Sequence, residues 1–212
     1  MLPLSNGGLP ADAGRPALSN ETIALNMGVD HSVGSRVTIA FLDVAYKGTG
    51  ARAACVVVDA WEAAAPSATY ADDIEAVEPY EAGSFFRREL PCLVSVLRLL
   101  PVLPTVLVID GYVWLSSLDR PGLGARLYEA VGRATPVVGI AKTAFAGVDH
   151  CAAVVPVLRG TSRRPLFVTA VGMDPAVAAQ CVRQMVGKHR IPEILCITDQ
   201  LSRGIAASKN VA

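Results

Sequence analysis

Four short, almost uninterrupted apolar runs constrain this chain more than any other feature: "VTIAFLDVAY" (37–46), "ARAACVVVDA" (51–60), "TVLVID" (105–110) and "PVVGIA" (136–141). A strand with one wet face alternates apolar and polar residues. Runs that are apolar on both parities belong to strands covered on both sides. "KGTG" (47–50) reads as a hairpin turn between the first two strands,. A third strand is expected within Tyr70–Val77, then a helix from about Ser84 to Leu100, stopped by Pro101 and Pro104,. "LGARLYEAVGRA" (123–134) and "PAVAAQCVRQMVGK" (175–188) read as helices. Strands are expected near 152–158 and 166–170, and a C-terminal segment begins at about Thr198. Hairpins first, then alternating strands and helices, predict an α/β fold: a mixed central sheet flanked by helices on both faces.

Residues 1–35 are rich in Pro, Gly, Ser, Asn and Ala without a sustained period, and read as a flexible segment before one domain over 36–212,. A short helix after Ser19 or Asn20 is a local option. Apolar residues make up 52% of the 212, enough to bury a large core,. Five cysteines (Cys55, Cys92, Cys151, Cys181, Cys196) show no CxxC spacing, and most sit in apolar runs, as reduced core residues do,. Nineteen basic and nineteen acidic side chains cancel, so no global field draws the protein to nucleic acid; a local basic face stays open,. No run approaches the roughly 18 apolar residues of a membrane span, and the N-terminus lacks a signal-peptide pattern, so no membrane partner and a cytoplasmic location are expected.

Against this background three carboxylates are out of place. On the first strand Val37, Ile39, Phe41 and Asp43 share one face, and Thr38, Ala40, Leu42 and Val44 the other. Both faces are largely apolar, so Asp43 is either embedded or already emerging at a strand end. Glu89 has Phe85, Phe86, Cys92 and Leu93 at helical spacing, with Val96 and Leu100 continuing the stripe, while Arg87 and Arg88 fall to its borders,. An ion pair with a nearby base is the alternative there. Pro91, two residues on, adds an irregularity. Asp110 ends a strand and precedes Gly111, where ligands collect in open α/β sheets, although Asp-Gly is also ordinary turn chemistry,. Lys142 leaves "PVVGIA" in the same way.

Three carboxylates brought to one point repel, and a hard divalent cation removes the conflict. The three histidines, His31, His150 and His189, form no zinc pattern,. An acidic cluster on a sheet suits Mg²⁺-dependent phosphoryl-transfer hydrolysis.

At these residues the chain resembles the endonuclease V family, within the ribonuclease H-like folds. "FLDVAY", "PYEAGSFFRREL" (79–90), "VLVIDG", "PVVGIAKT", "RRPLFVTAVG" and "HRIPE" resemble family segments and occur in the family's order. The resemblance spans about 36–205. It implies that Asp43, Glu89 and Asp110 bind metal and that Lys142 contacts the phosphate near the reaction centre. It also implies that Asp199, seven residues after Pro192, joins the metal ligands; the alternative for Asp199 is a first-turn helix acid favoured by the macrodipole.

The implied cofactor is Mg²⁺, with Mn²⁺ as substitute, and the implied partner is nucleic acid, DNA or RNA. The implied activity is hydrolysis on the 3′ side of deoxyinosine or inosine, one nucleotide removed, leaving a 5′-phosphate and a 3′-hydroxyl. Tyr80, Gly83 and Gly111 are the implied substrate contacts. Arg87, Arg88, Arg120, Arg163 and Arg164 are candidates for phosphates.

The chain departs from the family in three places, one of them the Gly-His after the "PLFV" strand, which is here Val171-Gly172-Met173. The strand-separating wedge has Glu81-Ala82 at its centre where the family has a hydrophobic residue and proline. "GYVWLSSLDRPGLG" (111–124) replaces a histidine-bearing turn. Two other readings follow: a nucleic-acid-binding relative with changed substrate choice or lost cleavage, and an α/β enzyme acting on a small phosphorylated molecule. The latter is weakened because "KGTG" lies in a hairpin and does not open a helix,.

Overall fold

The computed structural model describes residues 37–79, 81, 85–115, 120–145 and 153–205. The expected option of a helix after Ser19 or Asn20, and Cys151, lie outside them. β1 (Ile39–Lys47), β2 (Gly50–Val58) and β3 (Ala68–Ile74) form an antiparallel meander, with Gly48-Thr49 as the turn between the first two. β4 (Val106–Ile109) lies parallel to β1, and β5 (Val137–Ala141) parallel to β4. β7 (Leu166–Val171) pairs antiparallel with β5, and β6 (Val155–Val157) with β7. The seven strands stand in the order β3-β2-β1-β4-β5-β7-β6.

Both faces are covered, as the two-parity apolar runs require. Ala40 and Leu42 of β1, with Leu107, Ile109 and Val137, pack under α1 (Phe86–Leu97) and α2 (Leu123–Ala130). Ile39 and Phe41, with Val108, Val138 and Ile140, pack under α3 (Pro175–Gln184) and α4 (Glu193–Ser202). The two parities of β1 therefore feed two separate cores. α3 starts on Asp174, whose carboxylate accepts from the N–H groups of Ala176 (2.7 Å) and Val177 (3.3 Å), with Pro175 in the first turn,.

As expected, Pro91 lies inside α1, on its exposed side, where it withdraws one hydrogen bond without ending the helix,. Two details differ from expectation. The C-terminal segment expected from about Thr198 starts five residues earlier, as a helix that begins at Glu193 with Pro192 as its N-cap. Of the described cysteines only Cys55 and Cys92 are core residues; Cys181 is half-buried and Cys196 exposed, since α3 and α4 turn those positions outward. Among the described residues no helix is long and apolar enough to cross a membrane.

Candidate metal and nucleic-acid site

The register of the sheet brings the strand acids together. β1 and β4 pair in parallel from Ile39↔Val106 to Leu42↔Ile109. The same register continued by one residue sets Asp43 beside Asp110, at the neighbouring-strand spacing of about 4.8 Å between backbones. Asp43 follows the parity of Ile39 and Phe41, so it faces α4. There the Ser202 Oγ lies 2.6 Å from the Asp43 carboxylate and 2.8 Å from the carbonyl of Asp199, with one hydroxyl proton to give,. Asp110 follows β4 directly and meets Lys142, the residue following β5: Lys142 Nζ donates to Asp110 Oδ2 at 2.5 Å. These two side chains are 40% and 34% exposed, open enough for a substrate to reach them.

Glu89 approaches from the opposite face, on α1. Its helical neighbours Cys92, Leu93 and Val96 are buried as expected, while Phe85 is exposed. Among the described residues Glu89 has no ion pair, so the expected alternative of a basic partner is not what holds it. The adjacent Arg88 guanidinium sits 4.2 Å from the centre of the Tyr46 ring instead. Asp199 lies in the second half of α4 and pairs with Arg203 at 2.9 Å. It is therefore no first-turn acid; that position belongs to Glu193.

The electrostatics confirm that these groups feel one another. Burial, then the charges of Asp43 and Asp110, push the Glu89 carboxyl up to about 8, with Arg88 opposing,. Burial also raises Asp43; the Ser202 hydrogen bond opposes this, and the charges of Asp110 and Asp199 add to it. Burial alone would lower Lys142, but its hydrogen bond and charge contact with Asp110, and the fields of Asp43 and Asp199, leave it raised and firmly protonated.

The donor set is all carboxylate and hydroxyl oxygen, which suits a hard cation such as Mg²⁺ in chemistry. As the side chains stand, no group of three acidic, histidine or cysteine residues among the described ones is gathered tightly enough to close on an ion. Asp110 is turned to Lys142 and Asp43 to Ser202, so each strand acid already has a protein donor. Glu89, among the described residues, has no hydrogen-bond or ion-pair partner, and its carboxyl feels the charge of both.

Beside the acids opens a cavity of about 540 Å³, lined by Glu89, Asp110 and Gly111 at one end and by Phe86, Tyr112 and Phe145 along its wall. Tyr112 and Phe145 meet edge to face at 4.7 Å, and the Tyr112 hydroxyl donates to the Thr143 carbonyl at 2.8 Å,. The loop after Asp110 is pinned across the sheet. The Val113 N–H donates to Thr169 Oγ1 (2.9 Å), and the Trp114 indole N–H to the Ala170 carbonyl (3.2 Å). Gly139 makes this crossing possible, since a Cβ there would lie 2.5 Å from the Gly111 carbonyl oxygen. Gly111 itself takes φ of +150°.

Other expected contacts separate. Arg120 lines the cavity. Arg87 pairs with Glu81 at 3.3 Å, with both side chains largely in water. Arg163 and Arg164 lie exposed between β6 and β7. Tyr80 and Gly83 lie outside the described residues. Sequence reasoning missed Ser202, whose signal was a hydroxyl one helical turn after Asp199. It also missed Arg190, within "HRIPE", whose guanidinium donates to the carbonyls of Lys142 and Pro165 and so tethers the segment bearing Lys142.

The sequence model of the family described as Endonuclease V matches residues 22–200. An Endonuclease V from Geotalea uraniireducens is 30% identical over 192 residues, covering 82% of this chain and 80% of its own. One from Xanthomonas axonopodis pv. citri is 34% identical, covering 77% and 76%. The crystal structure of the Streptomyces avermitilis Endonuclease V superposes with a TM-score of 0.62 at 25% identity, covering 91% of this chain and 95% of that one. The Ciona intestinalis Endonuclease V, solved with a DNA 24-mer containing an inosine followed by a ribo-adenosine, superposes with a TM-score of 0.65 at 19% identity over 79% of this chain and 84% of that one. The mixed sheet is thus the ribonuclease H-like sheet of those structures, and this chain belongs to the Endonuclease V family, a family of nucleases.

Proposed function

We propose that this chain is a Mg²⁺-dependent endonuclease, able to use Mn²⁺, that hydrolyses a phosphodiester 3′ to deoxyinosine or inosine in nucleic acid, in the service of DNA repair. The observation that carries the reading is the convergence of Asp43, Glu89 and Asp110 on one end of the sheet, next to Lys142 and an aromatic-lined cavity of about 540 Å³.

Asp43, Glu89 and Asp110 would hold the ion, with Asp199 completing the negative field. Bound there, it would activate water and neutralise the leaving oxygen. The chain's own groups do the rest. Ser202 orients the Asp43 carboxylate. Glu89 would serve as a ligand once it had given up its proton. Lys142, released from Asp110, places a fixed positive charge at the phosphate where negative charge builds. Arg190 holds the backbone from which Lys142 reaches. The cavity accepts an unstacked base between Phe86, Tyr112 and Phe145, with Gly111 leaving its entrance open, and Tyr80 and Gly83 are proposed to separate the strand there. Glu81 at the wedge carries a charge that Arg87 offsets.

The test is incubation of purified protein with end-labelled oligonucleotides carrying deoxyinosine, inosine or only normal bases, in Mg²⁺, Mn²⁺ or EDTA. The expected result is a single nick one nucleotide beyond the modified base, absent in EDTA and in Asp43→Ala. No nick on any strand in either metal would sink the nuclease reading. Equal cutting of unmodified strands would leave the chemistry standing and remove the repair role.

A further inference from the structure

Arg126 is the fourth residue of α2, and the central carbon of its guanidinium lies over the Phe86 ring, 3.5 Å from its centre. It lines the cavity beside the acids. Among the described residues it has no carboxylate within ion-pair distance and no hydrogen bond, and its Nε is buried without an acceptor. Many of the other described arginines are engaged, although Arg120, which also lines the cavity, is not among those paired with a side chain. Arg52, Arg87, Arg133 and Arg203 pair with acids, while the guanidiniums of Arg159 and Arg190 are tied to backbone carbonyls. Arg88 is stacked in a similar way, on Tyr46, but does not line the cavity. Burial and the nearby charge of Arg87 both work against the charged form of Arg126. An acceptor arriving in the cavity would relieve both.

We propose that Arg126 is a specificity-determining residue that donates to O6 and N7 of a 6-oxopurine base seated in this cavity. A guanidinium stacked on a ring keeps its edge free, and its two parallel N–H groups match the O6/N7 edge of hypoxanthine or guanine. Adenine presents an amino donor at that position, so its edge opposes the same fork. The surroundings favour a base over a phosphate: Phe86, Tyr112, Leu115, Leu123 and Phe145 offer flat apolar surface, while the phosphate's place is with Lys142 and the acids. The assignment deepens the nuclease reading, on which it rests for the presence of a strand at this site.

The experiment measures binding with Ca²⁺ in place of Mg²⁺, by fluorescence anisotropy. The probes are labelled single strands bearing deoxyinosine, deoxyadenosine or an abasic residue at one position. Wild type is expected to prefer deoxyinosine over deoxyadenosine by about 10- to 100-fold. Both Arg126→Met and Arg126→Lys should collapse that ratio to within about threefold and leave the abasic strand bound as before. Arg126→Lys keeps the charge and controls for folding, checked by its melting temperature. If the lysine variant keeps the ratio, or if both variants weaken all three strands alike, Arg126 contacts phosphate and the proposal is overturned. A wild type that binds all three strands equally overturns it too. Cleavage of the same strands in Mg²⁺ reports separately on the nuclease reading, so either idea can fail alone.

Discussion

The acids carried by strands and the acid carried by a helix are held differently. Asp43 and Asp110 each face a donor from the protein, Ser202 at 2.6 Å and Lys142 at 2.5 Å. Glu89, among the described residues, has no hydrogen-bond or ion-pair partner; burial and the charges of Asp43 and Asp110 outweigh the opposing Arg88 and push its carboxyl up to about 8. The sheet therefore supplies two carboxylates already held by protein donors, while the helix supplies one held protonated by burial and its neighbours' charge. A divalent cation would act most strongly on Glu89, converting the least favourable charge in the site into a ligand.

The largest expected effect tests the strand pair. Asp43→Asn or Asp110→Asn should lower the cleavage rate by about 10²–10³-fold or more, read in single-turnover assays, because each removes a carboxylate proposed to hold the cation that acts on the phosphate. An activity within about threefold of wild type would break the comparison at its base.

The next tests the helix acid. With a folded-state value of about 8 against an ordinary 4.5, Glu89 holds a proton in the native state that the unfolded chain has lost across that interval. Stability of the metal-free protein should therefore fall as pH rises from about 4.5 to about 8 and level off above, with raised Asp43 adding in the same direction at the acid end,. Glu89→Gln should flatten that slope and stabilise the metal-free protein at pH 8 by on the order of 1–3 kcal/mol, measured by urea unfolding. A variant less stable than wild type at pH 8 would show that the glutamate has a partner after all.

Lys142→Met should separate binding from chemistry. Freed from its ammonium partner, Asp110 becomes a better ligand, so Mn²⁺ affinity should rise about threefold to tenfold while cleavage drops. A parallel fall in both would place Lys142 in the scaffold of the site. The smallest effect on cleavage is expected for Ser202→Ala, which leaves Asp43 without its donor while keeping every charge of the site. Metal affinity should weaken about tenfold, with a stability loss of about 1 kcal/mol.

The strand acids were legible because β-structure has a rigid two-residue period. Once Asp43 was counted onto the Ile39 and Phe41 face, its place followed from the register with β4. Glu89 was legible for the same reason at helical spacing. Ser202 was not, because its contact with Asp43 spans 159 positions of chain and depends on how α4 lies across β1. The C-terminal segment was placed late by residue pattern alone, since Pro192 opens α4 with no polar side-chain cap to announce it; only the resemblance of "HRIPE" to the family's turn before its final helix pointed there. The aromatic cavity was invisible for a further reason. Its wall is assembled from α1, the loop after β4, α2 and the segment after β5, and none of these carries a periodic signal for the others. Gly139 looked like one more small residue of a strand, yet it alone lets the loop after Asp110 cross over β5.

The central claim is that Asp43, Glu89 and Asp110 act as one cation site, and a Mn²⁺ titration followed by electron paramagnetic resonance tests it most directly. Wild type should bind the ion at this site with an affinity that strengthens between pH 6 and pH 8.5 as Glu89 yields its proton. Asp43→Asn and Asp110→Asn should lose the site, and Glu89→Gln should bind more weakly with the pH dependence gone. Binding that is indifferent to all three substitutions, or unchanged with pH in the wild type, would contradict the account.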